Sequence, residues 1–169
     1  EGEYERTADR FENAEVQLRY QRMISDFFDA HVGVRQDIKP DPSRSFAVVG
    51  INGLAPQWFE TDASFFVSHK GDTSLRLEAE YDILFTQRLI LEPSAEIDIA
   101  FSEDRPTGVG KGLSKVELGV RLRYEIAREF APYIGINWER KIGTTSDLAR
   151  EEGEDDNVFS VVAGIRAFF

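Results

Sequence analysis

From Thr73 to Thr86 the chain reads TSLRLEAEYDILFT, and its alternate residues are chemically opposite. Leu75, Leu77, Ala79, Tyr81, Ile83 and Phe85 fall on one face of an extended chain, and Arg76, Glu78, Glu80, Asp82 and Leu84 on the other. A helix scatters both sets around its axis, so this period of two predicts a strand whose faces meet different surroundings. The pattern recurs along most of the chain. Leu89, Leu91, Ala95, Ile97, Ile99 and Phe101 stand against Glu92, Glu96 and Asp98, and Val116, Leu118, Val120, Leu122, Tyr124 and Ile126 against Lys115, Glu117, Arg121, Arg123 and Glu125. Ile134, Ile136 and Trp138 oppose Tyr133, Asn137, Glu139 and Lys141, while the closing VFSVVAGIRAFF sets apolar residues from Phe159 to Phe169 against Arg166. Upstream, the apolar faces are Val16, Leu18 and Tyr20, then Phe28, Ala30, Val32 and Val34, then Phe59, Ala63, Phe65 and Val67. Ser45 to Leu54 is apolar on both sides, and periodicity does not orient it. Pro93 on an apolar face predicts a bulge or the membrane boundary at that point.

Connections alternate too. Short turns at 24–27, 54–58, 86–88 and 128–132 alternate with mostly longer, polar connections such as EDRPTGVGKGL and GTTSDLAREEGEDDN. Counted from EGEYERT there are about ten strands, an even number, with both termini on the short-turn side. Many run about 9–13 residues, enough to cross a bilayer at a tilt of roughly 45°. Long antiparallel strands with short turns on one side and long loops on the other predict an all-β, up-and-down transmembrane β-barrel.

Periodicity alone leaves open which face is inside, since a soluble barrel turns its apolar face inward and an outer-membrane barrel turns it to lipid. Aromatic residues near strand ends (Phe27, Phe28, Trp58, Phe59, Tyr133, Phe168) favour lipid, because their rings suit the membrane interface. So does the amount of apolar surface, more than one soluble barrel's cavity accommodates. Lipid contact in turn requires closure. The net charge of -11 excludes a nucleic-acid partner, and the absence of cysteine excludes disulfides and thiolate metal sites. The first residues carry no signal pattern, so an exported chain has already lost its leader.

The terminal strand, with Gly164, Ala167 and Phe169, resembles the signal read by the outer-membrane barrel assembly machinery, apart from Val162 where a polar residue is usual. More specifically, the runs FAVVGINGLAPQWFETDASFFVS, LRLEAEYDILFTQRLILEPSAEIDIAF and GLSKVELGVRLRYEIAREFAPYIGINWERKIG resemble the copper resistance protein B family, with APQWFE, LEAEYD, FTQRL and REFAPY the most specific segments. The resemblance implies an outer-membrane barrel of Gram-negative bacteria that binds copper at the envelope or moves it across the outer membrane. It also implies surroundings of lipid and lipopolysaccharide, and periplasmic copper-handling proteins as partners. Family members usually carry an N-terminal stretch rich in Met and His and further barrel sequence ahead of EGEYER. Residues 1–169 are therefore expected to be one barrel domain truncated at its N-terminus, from a full barrel of twelve strands.

No organic cofactor is expected; the candidate ligand is a copper ion. Copper prefers thioether, imidazole and oxygen ligands, which leaves Met23, His31 and His69 as candidates. Their positions along the strands predict separate places, with His31 pointing into the lumen, His69 at a long loop and Met23 at a short turn; the plainer reading makes His31 a hydrogen-bonding lumen residue. Glu78, Glu80, Asp82, Glu96 and Asp98 would line the lumen and attract cations, or else pair with Arg19, Arg35, Arg76, Arg121, Arg123 and Arg166. The acidic segment Glu151 to Asp156 reads as a solvated loop that could bind divalent ions or bridge lipopolysaccharide, and GVGKG as a flexible loop. Asp29 and His31 share a strand face as a hydrolase couple would, but no nucleophile motif accompanies them, and the chain reads as non-enzymatic. The reading set beside copper handling is a structural or general-permeability barrel with no specific ligand.

Overall fold

The computed structural model describes residues 14–39, 43–127 and 130–167, so the EGEYERT segment and Phe169 lie outside the described residues. Ten strands form one antiparallel sheet: β1 (Ala14–Met23), β2 (Phe28–Lys39), β3 (Arg44–Ala55), β4 (Phe59–Ser68), β5 (Thr73–Glu80), β6 (Ile83–Leu84), β7 (Leu89–Ala100), β8 (Gly112–Tyr124), β9 (Phe130–Lys141) and β10 (Asn157–Ala167). Each long strand pairs with its neighbours in sequence, in the order β1-β2-β3-β4-β5-β7-β8-β9-β10, with β6 also on β7. This is the up-and-down order expected of alternating turns and loops.

The count of ten is reached differently from the sequence reading. The segment Thr73–Thr86 is broken into β5 and β6 at Tyr81 and Asp82, opposite Pro93 and Glu92 of β7. Proline has no N–H to give to the ladder. Its carbonyl still accepts from the Tyr81 N–H at 3.1 Å, so one ladder bond survives there. The irregularity expected at Pro93 thus falls on the neighbouring strand.

The faces settle which solvent each expects. Leu18 is 74% exposed, and Val32, Val34, Ile51, Leu118, Ile134, Ile136, Val161 and Ile165 also face outward. His31, Arg44, Ser64, Ser114 and Arg123 are buried on the other side. Burying a large apolar side chain is worth about 1.5–3 kcal/mol. More than thirty large hydrophobic residues are exposed among the described residues. Left in water, they would forgo several times the about 5–15 kcal/mol of net stability of an ordinary domain. Their solvent is lipid. At the short-turn end Phe27, Trp58, Phe59, Phe85 and Phe130 stand outward, the aromatic girdle of a membrane barrel, and nearer the loop end so do Phe101 and Phe159.

The sheet curls with its polar face inward. Arg19 on β1 reaches Asp62 on β4 at 3.4 Å, although three strand spacings make about 14 Å on a flat sheet. Strand β3, which periodicity left unoriented, turns Phe46, Val48, Gly50 and Asn52 inward by pairing with Arg35, Gly33, His31 and Asp29. Val48 is 1% exposed and sits opposite Phe66, whose ring packs edge-on to Phe46 and under the Arg35 guanidinium at 5.0 Å.

One element is absent from the sequence reading. Thr144–Glu152 of the long polar connection forms a helix, α1, bounded by Gly143 and by Gly153 in the left-handed conformation. Its Leu148 and Ala149 are buried. Thr145 Oγ1 accepts from the Gly110 N–H at 3.0 Å, and a Cβ on Gly110 would lie 2.5 Å from Thr145 N. The GVGKG segment is therefore packed against α1, where the sequence suggested a flexible loop.

Candidate functional site

The antiparallel register puts carboxylates of successive strands side by side on the inner face. Asp62 lies opposite Glu78, Glu78 opposite Glu96, Glu96 opposite Glu117, and Glu117 opposite Glu139. Five acidic residues thus form one unbroken row across β4, β5, β7, β8 and β9. Like charges placed directly opposite repel, so such a row needs cations beside it. The next row toward the long loops supplies them: Ser64, Arg76, Asp98, Lys115 and Lys141. Arg76 holds Asp98 at 2.9 Å and Glu96 at 3.5 Å, and Lys115 lies 3.0 Å from Glu117 and 3.4 Å from Asp98. Lys115 Nζ is also 2.7 Å from Glu96 Oε1, an ion pair by distance without hydrogen-bond alignment. Asn137 donates to Glu117 at 2.6 Å. Glu78 and Glu139 have no ion-pair partner among the described residues.

Of the acidic residues expected in the lumen, Glu78, Glu96 and Asp98 belong to this belt. Glu80 is exposed one step nearer the short turns, and Asp82 sits at the β5–β6 break, 3.3 Å from Arg123. Among the expected basic partners, Arg19 contacts Asp62, Arg76 the central carboxylates, and Arg123 also Glu92 at 2.9 Å. Arg35 pairs with Asp37 of its own strand at 2.6 Å and stacks on Phe46 and Phe66. Arg121 lies over the Tyr133 ring at 5.7 Å. The Arg166 side chain is outside the described residues. Sequence reasoning did not single out Asp62, Lys115, Glu117 or Glu139, because a single strand's pattern does not say which residue of the next strand it will face.

His31 lies flat on the wall. A Cβ on Gly50 would be 2.6 Å from its Nε2, so only glycine leaves room for the ring. Nε2 is 3.0 Å from Ser64 Oγ, and Nδ1 is 3.8 Å from Asp62 Oδ2. Ser64 in turn donates to Asp62 Oδ1. The trio has the composition of a Ser–His–Asp hydrolase site but not its wiring: the serine proton goes to the carboxylate, and Ser64 is 3% exposed. Asp29 accepts from Gln21 at 2.7 Å instead of orienting His31.

Of the three soft or nitrogen candidates, Met23 and His31 come closer than expected. Met23 pairs with Asp29 and so stands diagonally across from His31, a spacing of about 7–8 Å. His69 is five residues beyond Ser64, about 17 Å further along β4, and accepts from the Ser45 N–H at 3.4 Å. The acidic loop is paired as well: Glu154 with Lys141 at 2.8 Å, and Asp156 with Arg150 and Ser146. Those two donors hold the Asp156 carboxyl below the usual carboxylate range. At the mouth, Arg44 of β3 makes two hydrogen bonds to Asp104 of the β7–β8 loop, at 2.8 and 3.0 Å, and they likewise lower the Asp104 carboxyl.

The copper resistance protein B precursor family model matches residues 1–169. The chain belongs to that family. Copper resistance protein B of Escherichia coli is 47% identical over 167 residues, 99% of this chain and 56% of that protein. The copper resistance protein B homolog of Pseudomonas syringae pv. tomato is 42% identical over 99% of this chain and 57% of its own length. The chain thus spans a little over half of the family members it matches. In fold, the chain is similar to the NanC porin, with a TM-score of 0.64 at 14% identity over 93% of this chain and 79% of that one. The KdgM porin gives a TM-score of 0.58 at 12% identity, over 92% and 75%. Lipid-facing hydrophobes, the porin fold and the family together place this copper resistance barrel in the outer membrane.

Proposed function

We propose that this chain forms the wall of an outer-membrane pathway that binds copper ions and passes them through the barrel, and that it catalyses no reaction. The observation that carries this reading is the row Asp62, Glu78, Glu96, Glu117 and Glu139 on the inner face. Rings of carboxylate favour cations over anions, and a site that is to conduct must bind weakly at several points. Arg76 and Lys115 neutralise part of the row, and two carboxylates are left over for an incoming ion. Family membership supports copper as the cargo, and lipid, lipopolysaccharide and periplasmic copper-handling proteins as surroundings and partners.

The test is copper entry into proteoliposomes containing the full-length protein, read by a trapped copper-sensitive dye. Neutralising the free carboxylates with Glu78→Gln and Glu139→Gln is expected to slow entry several-fold while entry of an uncharged sugar stays unchanged. Equal copper rates in the double variant would favour a general-permeability barrel, a reading that the porin fold also supports.

A further inference from the structure

His31 is the buried titratable residue that the carboxylate row does not explain. Its side chain is 1% exposed, yet Nδ1 has no hydrogen-bond partner. The hydrogen-bond directions around it are constrained. Ser64 has one proton, and Asp62 accepts it. Ser64 Oγ must then accept from His31 Nε2–H, which in the neutral ring makes Nδ1 a bare lone pair. That lone pair faces Asp62 Oδ2, also an acceptor, at 3.8 Å. Two acceptors facing each other in a buried place repel unless a proton or a cation lies between them, and the Arg19 guanidinium reaches only the carboxylate, at 3.4 Å.

The spacing says what fits. At 3.8 Å the pair is too far apart for a hydrogen bond, and two hydrogen bonds through one water need roughly 4.5 Å. A transition-metal ion bound to both at about 2.0–2.2 Å holds its two donors roughly 2.8–4.2 Å apart. We infer that His31 Nδ1 and Asp62 Oδ2 form a binding site for a divalent transition-metal ion at the inner face of the barrel. Imidazole nitrogen with carboxylate oxygen suits copper(II) or zinc(II) in preference to magnesium or calcium. The Ser64 bond to Nε2 fixes the ring and its tautomer, as hydrogen bonds behind metal ligands do. Gly50 provides the alcove for the ring; no third His, Asp or Glu joins the pair among the described residues, so water completes the coordination. Arg19 is the competing cation: it is half-exposed and 3.4 Å from the same Asp62 oxygen, so it must swing aside when metal enters.

The site rests on the copper reading for the identity of its metal, and the two can fail separately. The full-length protein in detergent is titrated with copper(II) and with zinc(II), reading stoichiometry by calorimetry and copper coordination by electron paramagnetic resonance. His31→Gln and Asp62→Asn are each expected to lose the same single equivalent, with its imidazole nitrogen coupling, whereas His69→Ala keeps it. Arg19→Gln should bind that equivalent about tenfold more tightly, since a nearby positive charge is gone. A histidine that merely stabilises the wall does not predict that gain. Unchanged stoichiometry in His31→Gln overturns the site even if copper still enters proteoliposomes. Should His31→Gln not fold, unchanged affinity in Arg19→Gln overturns it instead. Retention of the equivalent without copper entry overturns the pathway and leaves the site standing.

Discussion

An arginine at Leu118 measures the lipid assignment directly. Strand β8 has 13 residues, and Leu118 is the seventh. At about 3.4 Å per residue and a tilt of about 45°, the strand rises roughly 31 Å, enough to cover an apolar band of about 25 Å with Leu118 at its middle. Leu113 also faces outward, because the bulge opposite Asp98 and Ile99 resets the alternation. It lies five residues, or roughly 12 Å of depth, nearer the loop rim. Arginine at the midplane of a barrel costs about 2–4 kcal/mol and near the interface about 0–1 kcal/mol. Leu118→Arg is therefore expected to lower the folding equilibrium in phospholipid vesicles about 30- to 700-fold, and Leu113→Arg less than about tenfold. Denaturant titration read by the fluorescence of Trp58 and Trp138 measures both, since Trp58 lies at the short-turn rim and Trp138 directly across from Leu118. A surface substitution in water usually changes stability by under about 0.5 kcal/mol. A Leu118→Arg shift that small, or equal costs at the two depths, would refute the assignment of this face to lipid.

Other expectations concern the inner face and the mouth. Gly50→Ala should destabilise by about 1–3 kcal/mol in the same titration, because the added carbon meets the Ala63 carbonyl oxygen at 2.4 Å and the His31 ring at 2.6 Å. Arg76→Met should raise cation conductance across planar bilayers, since it uncovers Glu96 and Asp98; unchanged conductance would mean the row does not face the conducting path. The Asp104 carboxyl is depressed by Arg44, so their tie contributes stability above the ordinary carboxylate pKa and loses it as pH falls through the lowered value. Hydrogen exchange in the β7–β8 loop should therefore stay slow at mildly acidic pH and quicken only below about pH 4. In Asp104→Asn it should be fast throughout.

Much of the wall was legible because a period of two is a property of one strand at a time. Leu75 to Phe85 and Val116 to Ile126 name their faces without reference to any neighbour. The belt of charge was not legible, since it depends on stagger: Glu117 and Glu139 were visible as polar-face residues, but only the register sets them in one row with Asp62, Glu78 and Glu96. The same holds for Met23 and His31, which look remote along their strands and stand diagonally across the hairpin. β3 misleads for a different reason. Its inner face carries Phe46, which packs under Arg35, and Val48, which is buried opposite Phe66, so neither meets water as a lumen residue would. Helix α1 is short, with Leu148 as its one large hydrophobe, and so shows no helical repeat.

The glycine alcoves also bear on the bore of the barrel. Strand number and tilt set the diameter of the backbone wall, but the open cross-section is what side chains leave of it. A histidine standing off the wall at position 31 would project toward the axis, and Gly50 instead lets its ring lie flat. Tyr133 lies against Gly164 in the same way, with the place of a Cβ only 2.5 Å from its hydroxyl. Paired glycine and ring thus act as a calibre adjustment. The passage can be widened or narrowed by exchanging residues across a strand pair, without adding a strand.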